Sequence, residues 1–428
     1  MKKYILIILC CLTSFPLWSY NVNMIVEHYS VDQGLPNNTV NCTLKDRDGF
    51  IWFGTWYGLC CFDGVKFKTF NKQEHDSDVP PRKIQRIVED KNGYIWVKTI
   101  DRKLYVFNKV TECFHAVYDD MKNYSENIQV IKLQNTAEGD VLLLTKDKNL
   151  LLAGVDEKGQ VTIKILFDSR NEINKHDYTL KHHVLCETEE YISWIGTDYK
   201  VAAVHKGSEL ASRPADFITS KINSGDKDSF TSFFEDGRKV WVGDRAGIFY
   251  SIDVRTGLVN RYVLSEIKGA ISNLLVTPAG YVYLSVAGQG TYEYDLAERR
   301  LQKINTEMND AMVTHAFIDQ YDKIWFHENE KALIYYDPLN HTAKRFPFTM
   351  FGKITTLYSE DAGERGLFFL SPAGEAWLFD REHAEMVYIN KLKQLSNDRA
   401  NQQFYHLMLD NDGVLWLSSA DEGVYCMN

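Results

Sequence analysis

A chain of 428 residues, 45% hydrophobic and 13% aromatic, carries enough apolar side chain for a packed core, which excludes a disordered chain. Its formal charge of −10 excludes the basic surface that general binding to nucleic acid or anionic membrane requires. Beyond residue 20 the cysteines are Cys42, Cys60, Cys61, Cys113, Cys186 and Cys426; without a C-x-x-C pair or a histidine cluster they are not expected to bind zinc.

Residues 1–20 carry Lys2 and Lys3, then an apolar run from Tyr4 to Leu12, then Ser14 and Ser19. That is the layout of a secretory signal peptide, with cleavage expected near Ser19. No later stretch reaches the roughly 18 apolar residues that span a bilayer, so the mature chain is expected to be exported, with no membrane span. Export permits disulfides, but most of the six cysteines lie in apolar strand patterns, where a buried thiol acting as a small hydrophobe is the simpler expectation.

The stretch Asp46-Arg-Asp-Gly-Phe-Ile-Trp-Phe-Gly-Thr-Trp-Tyr-Gly-Leu-Cys-Cys-Phe-Asp63 reads as one unit of a repeat. Val40 to Lys45 is an inner strand, and Asp46 to Gly49 a tight turn whose glycine can take positive φ. Phe50 to Thr55 is a second strand, Leu59 to Phe62 a third and Val65 to Phe70 an outer one. Trp52 is expected to fill the space between neighbouring units, and Gly54 to let another backbone come close.

Positions equivalent to Trp52 recur at Trp96, Leu142, Trp194, Trp241, Tyr283, Trp325, Phe369 and Trp416, in steps of 42 to 52 residues. A period of 40–50 with a turn residue ahead of an aromatic marks a β-propeller blade of four antiparallel strands. The fold class is therefore all-β, with nine four-stranded blade motifs. The third copy, around Val130, Val141 to Leu144 and Leu150 to Ala153, has lost its aromatic. Glu382 to Leu395 is the nearest approach to a helical period, but its Val387-Tyr-Ile389 core reads as an outer strand.

Val26-Glu-His-Tyr-Ser30 resembles the outer strand Lys66-Phe-Lys-Thr-Phe70 but precedes the first inner strand, so it is available to complete another blade and remove an exposed edge. Two closures are open. In one, all nine motifs form a larger closed ring and residues 26–30 complete the ninth. In the other, favoured because propellers usually have four to eight blades, residues 26–30 complete the seventh near Asp337. His341 to Phe348 then opens a second, incomplete propeller, which divides the chain into a signal peptide (1–20), a seven-bladed propeller (21–340) and two further blades (341–428).

Asp-x-x-Gly-x-x-Trp-x-Gly-Thr-x-x-Gly-Leu-x-x-Phe-Asp, with the upstream Gly34-Leu-Pro-Asn-Asn-Thr-Val40, resembles the two-component regulator propeller repeat. The resemblance implies the N-terminal periplasmic region of a hybrid two-component sensor, an oligosaccharide ligand, signal transduction by a phosphorelay, and downstream sensor modules or a homodimer partner. Nothing after Asn428 supplies a second complete propeller, membrane helix or kinase, so the chain is expected to be the front half of such a sensor, truncated or acting alone. A non-catalytic binding module is the first reading; a glycan-active lyase or hydrolase, or a purely structural interaction protein, are the alternatives. No cofactor is assigned.

Turns between second and third strands share one end of a propeller. They hold Trp56 and Tyr57, Asp101 and Arg102, Asp198 and Tyr199, Asp244 and Arg245, Gln289, and His327 and Glu328. Aromatic faces beside hydrogen-bonding groups suit sugar rings, which makes these the candidate ligand-binding residues, Trp56-Tyr57 foremost. An acid/base role for His327-Glu328 with Asp319 and Asp322 is the weaker reading, and no catalytic residue is assigned. The recurring Asp46, Asp90, Asp236, Asp319 and Asp410 could suggest calcium, but turn aspartates bonding their own backbone account for them, so no metal is expected.

Overall fold

The computed structural model describes residues 25–73, 80–122, 124, 129–169, 180–196, 201–207, 215–216, 230–304, 313–351, 357–371, 374–389, 404–410 and 412–428. Residues 1–20, expected to be a signal peptide, lie outside them. The described chain forms nine antiparallel sheets, numbered 1 to 9 by the chain order of their second strands, with one short α-helix, Tyr118–Met121, and three single 3-10 turns. In sheets 1 to 8 the strands follow chain order from first to fourth, and sheet 2 gains a fifth, Lys72–Gln73, parallel to Cys113–Ala116.

Each residue aligned with Trp52 falls in a second strand, among them Ile51–Thr55, Ile95–Thr99, Tyr281–Val286 and Leu415–Ser419. The second strands of sheets 1, 2, 3 and 9 are buried at every residue. A strand covered on both faces has no solvent side to alternate with, and reads as a continuous apolar run. The third copy fits the same plan with Leu142 in place of an aromatic: Val141–Thr145 and Leu150–Val155 pair in register. Glu385–Ile389 is indeed an outer strand, paired with Ala376–Asp380.

Nine apolar clusters lie between consecutive sheets. Trp52 and Leu59 of sheet 1 pack with Ile87, Val97 and Phe107 of sheet 2; Trp96 packs with Leu133 and Leu143 of sheet 3; Leu142 packs with Trp194 of sheet 4. Ala203 joins Val240 and Val242 of sheet 5, and Trp241 joins Leu274 and Leu284 of sheet 6. Tyr283 meets Phe326 and Tyr336 of sheet 7, and Trp325 meets Phe369 and Trp377 of sheet 8. Phe368 meets Leu417 and Tyr425 of sheet 9, and Trp416 returns to Val40, Phe53 and Phe62 of sheet 1.

The closing strand differs from the favoured expectation. Val26–Tyr29 pairs antiparallel with Val424–Met427, with Val26 opposite Met427 and Tyr29 opposite Val424, so it completes sheet 9 rather than sheet 7. Sheet 7 has its own outer strand, Thr342–Pro347, in register with Ala332–Asp337. The segment expected to open a second propeller therefore finishes the seventh sheet, and a division near residue 340 loses the strand it rested on. Side-chain fit favours this closure: Tyr29 lies 5.2 Å from the Phe62 ring, 5.4 Å from Phe67 and 6.3 Å from Trp416.

The recurring aspartates do more than shape turns. Asp46 Oδ1 accepts the N–H groups of Asp48 and Phe50 at 3.0 and 2.9 Å, and Oδ2 accepts the indole N–H of Trp52 at 2.7 Å. The same carboxylate-to-indole bond joins Asp90 to Trp96 (2.9 Å), Asp236 to Trp241 (2.7 Å), Asp319 to Trp325 (3.2 Å) and Asp410 to Trp416 (2.8 Å). A buried indole needs an acceptor, so one residue satisfies both the turn and the packing ring. Gly54 admits side chains where a backbone was expected: a Cβ there would strike Cys42 Sγ and come within 2.5 Å of Ile84 Cγ2 on sheet 2.

Cys42, Cys60, Cys61, Cys113 and Cys426 are free and buried. Burial pushes the Cys42 and Cys61 thiols up to about 12 and that of Cys426 up to about 11, which keeps them unreactive. The side chain of Cys186 lies outside the described residues.

Candidate functional site

In each meander the turn between second and third strands lies at the end opposite the other two turns. Thr55 builds the first: its Oγ1 donates to the Gly58 carbonyl at 2.8 Å and accepts the Tyr57 N–H at 3.2 Å. Thr99 and Ser419 repeat the device in sheets 2 and 9, donating to the Lys103 and Gly423 carbonyls. Backbone bonds then lace neighbouring sheets together. Gly423 N–H donates to Asn38, Trp56 N–H to Thr39, Lys83 N–H to Trp56 and Ile100 N–H to Lys83, at 2.8 to 3.2 Å. Trp56 and Tyr57 are thus held by the main chain, yet are 42% and 63% exposed. The Lys83 ammonium stands 5.3 Å from the Trp56 ring centroid, in cation–π range.

The other candidate residues sit at several depths. Asp101 is exposed, pairing with Lys103 at 3.6 Å, and Arg102 beside it takes φ 67°. Asp244 is buried; its Oδ1 accepts the Ala246 and Ile248 N–H groups at 2.9 and 2.8 Å, and desolvation raises its pKa. Arg245 next to it is exposed. Gln289 brackets a loop, donating to the Glu266 carbonyl at 3.1 Å and accepting the Lys268 N–H at 2.7 Å. Asp198 and Tyr199 lie outside the described residues.

His327 and Glu328 are neighbours on a strand and project to opposite faces of the sheet. His327 Nδ1 is 3.0 Å from Thr314 Oγ1, while its Nε2 is buried with no hydrogen-bond partner; burial, then the charge of His315, lowers its pKa. Glu328 Oε2 is gripped by Arg345 Nε and Nη2 at 3.2 and 3.0 Å. The two side chains form no acid/base pair with each other. Asp319 is likewise taken up, accepting Arg381 Nη1 at 2.6 Å as well as the Trp325 indole.

Among the described residues, Asp46, Asp48 and Glu89 bring ligand atoms within 4.8 Å of one another. An ammonium already stands among them: Lys109 Nζ lies 3.1 Å from Asp46, 2.8 Å from Asp48 and 2.8 Å from Glu89. Desolvation opposes the Lys109 charge, but its hydrogen bonds to Asp48, Glu89 and Asp46 outweigh it and its pKa is raised. The cluster is an internal ion pair that ties sheet 1 to sheet 2.

Sheet 6 departs from the repeat. Thr277 replaces the turn aspartate and Tyr283 the tryptophan; Tyr283 OH donates not to the turn but to Glu293, directly opposite on the third strand, at 2.9 Å. Tyr336 of sheet 7 donates to the same Glu293 Oε2 at 3.1 Å and lies 3.1 Å from His341 Nδ1. Tyr283, Glu293 and His341, with Arg300 beside them, line a cavity of about 550 Å³ between sheets 6 and 7. Sequence reasoning treated Tyr283 as a packing residue and passed over Glu293; the loss of both aspartate and tryptophan is shared with the third copy, Thr136 and Leu142, and what sets this copy apart is an acid in the middle of its buried third strand.

The family model described as Two component regulator propeller matches residues 34–57, a span that ends on the Trp56-Tyr57 turn. None of the curated proteins compared matches the chain. Among solved structures, the extracellular domain of BT4673 from B. thetaiotaomicron is similar at 14% identity and a TM-score of 0.40, over 92% of this chain and 65% of that one. The extracellular domain assigned to the hybrid two component system BT3049 of the same organism is similar at 14% identity and a TM-score of 0.36, over 92% and 58%. Virginiamycin B lyase from Staphylococcus aureus is similar at 8% identity and a TM-score of 0.37, over 95% and 99%. The chain thus spans less than two thirds of the two sensor domains.

Proposed function

We propose that this chain is a non-catalytic sensing module of a two-component system, located in the periplasm, and that it takes a glycan fragment against the Trp56-Tyr57 turn. The repeat at residues 34–57 supports the signalling context. The observation that carries the ligand reading is the exposed aromatic pair itself. Its backbone is locked to sheets 1 and 2, so binding would not have to order the platform first. A Trp face offers stacking to the C–H surface of a sugar ring, and Lys83 offers a donor to its hydroxyls. We further propose that the nine sheets act as one closed ring, so that a ligand seated on one turn biases the pose of a following module only through a difference in affinity between poses.

A thermal-shift screen of the purified chain against plant, host and microbial oligosaccharides tests this. A ligand at about 100 times its Kd should stabilise the fold by roughly 2.7 kcal/mol. Trp56→Ala, at an exposed position, should abolish that shift while leaving the unliganded Tm unchanged. If no oligosaccharide shifts the melt, or the shift survives Trp56→Ala and Tyr57→Ala, the reading fails. Release of new reducing ends from any polysaccharide would replace it with an enzyme.

A further inference from the structure

The cavity between sheets 6 and 7 lies at the opposite end of the sheets from Trp56. It is bounded by the turn Thr277–Tyr281, by Asp322 and Lys323, and by Pro338, Leu339 and His341. At about 550 Å³ it falls in the range of small-molecule sites.

Its floor is chemically unbalanced. Glu293 is 5% exposed, and a buried carboxylate is ordinarily paired with a cation. Here both side-chain hydrogen bonds among the described residues, from Tyr283 and Tyr336, go to Oε2. Oε1 accepts none among the described residues, and Glu293 lines the cavity. Among the described residues no ion pair reaches it: of the cations that line the cavity, Lys323 is taken by Asp337 at 2.7 Å, and Arg300 lines the wall without pairing to Glu293. The Tyr336 hydroxyl, in donating to Glu293, leaves its own oxygen to accept from His341 Nδ1, so that donors converge on the occupied oxygen and leave the other open.

The walls suit an organic cation. Tyr281 and Tyr283 line one side, and Tyr321, whose ring already carries the Arg381 guanidinium at 4.4 Å, the other; an ammonium is drawn to the free aromatic faces of the first side as well as to a carboxylate. Pro278, Pro338 and Leu339 supply apolar rim; Leu339 is 84% exposed and Tyr321 43%, large apolar surface that a ligand body would cover.

We propose that this cavity binds a ligand bearing a primary ammonium group, with the ammonium seated on Glu293 Oε1 and the body of the ligand against Tyr321, Pro338 and Leu339. The site is separate from the Trp56-Tyr57 turn and does not rest on the sensing role of that turn.

Matched pairs test it: glucosamine against glucose, and benzylammonium against benzyl alcohol, each titrated calorimetrically into the intact chain. At least one amine should bind at least tenfold more tightly than its hydroxyl partner. Glu293→Gln should erase that preference. Because a buried substitution can unfold the sheet, Tyr321→Ala at the rim is the second variant, expected to weaken amine binding severalfold with the Tm held within a degree. Trp56→Ala should leave amine binding unchanged. Equal binding of amine and alcohol, no binding by either amine, or an amine preference that persists in folded Glu293→Gln overturns the proposal; loss on Trp56→Ala would transfer the site to the other end.

Discussion

Tyr29→Ala should loosen the closing strand and nothing else. The ring of Tyr29 makes three aromatic contacts, with Phe62, Phe67 and Trp416, and its hydroxyl donates to Glu27 at 2.6 Å. At about 0.5–1.5 kcal/mol for each aromatic pair the loss comes to about 3 kcal/mol. The remaining ties are the four-residue register to Val424–Met427, the reciprocal Ile25 to Asn428 bonds at 2.9 and 3.0 Å, and the His28 ring stacked on Tyr425 at 4.4 Å. Those are not touched, so the effect should be local opening rather than global unfolding. A cost of 3 kcal/mol multiplies the opening equilibrium by roughly 100. Native-state hydrogen exchange reads it directly: amides of 424–427 should exchange about 100-fold faster, while those of 332–337 hold. Faster exchange in 332–337 or 342–347 with 424–427 unchanged would show that residues 26–29 close the seventh sheet, and would refute the closure drawn from strand pairing.

Asp46→Asn keeps the turn acceptor but turns an amide toward the Trp52 indole and the Lys109 ammonium; leaving buried donors facing a donor should cost about 2–3 kcal/mol in urea unfolding, against no more than a few tenths for Asp322→Asn at the exposed end of its turn. Gly54→Ala should cost about 1–3 kcal/mol by overpacking, because its Cβ meets Cys42 Sγ and Ile84; the second substitution Cys42→Ala should restore part of it, and a strictly additive pair would argue against contact. Burial first, and then Glu187 and Asp236, push Glu235 up to about 7, against the lowering effects of a backbone bond and Lys206, and its Oε2 lacks a partner. A carboxyl whose folded pKa is raised holds more protons folded than unfolded, so stability should fall as pH rises from about 4.5 to about 7 and level off above. Glu235→Gln should flatten that decline and raise the neutral-pH Tm; an unchanged pH profile would show that Glu235 titrates normally.

Much of the architecture was readable residue by residue. The second strands announced themselves because they are covered on both faces and so carry unbroken apolar runs ending in Gly-Thr or its substitutes, and the turn aspartates because their geometry is local, bonding N–H groups two and four residues on. The indole bond from the same aspartate was missed although it spans only six residues, since it depends on the side chain folding back into the sheet interface. Among the binding candidates, Trp56 and Tyr57 stayed exposed, but Asp244 and Glu328 look identical to solvent-facing acids in a string of letters and turned out buried against a turn backbone and Arg345.

Outer strands were the point at which the sequence stopped deciding. Val26–Tyr29, Phe67–Phe70 and Thr342–Pro347 all mix exposed and partly buried residues, because each has a neighbour on one edge only, and such a pattern states that a strand is outermost without naming the sheet. The choice between the seventh and ninth sheets was made by the fit of Tyr29 among Phe62, Phe67 and Trp416, three rings from two ends of the chain. The cavity over Glu293 has the same origin: a hydrogen bond joins residues 43 apart, Glu293 and Tyr336, on strands that only the packing of one sheet on the next brings together. Periodicity along the chain thus determined the unit and its number of copies, while contacts between copies determined which strand closes them and where an open carboxylate oxygen is left.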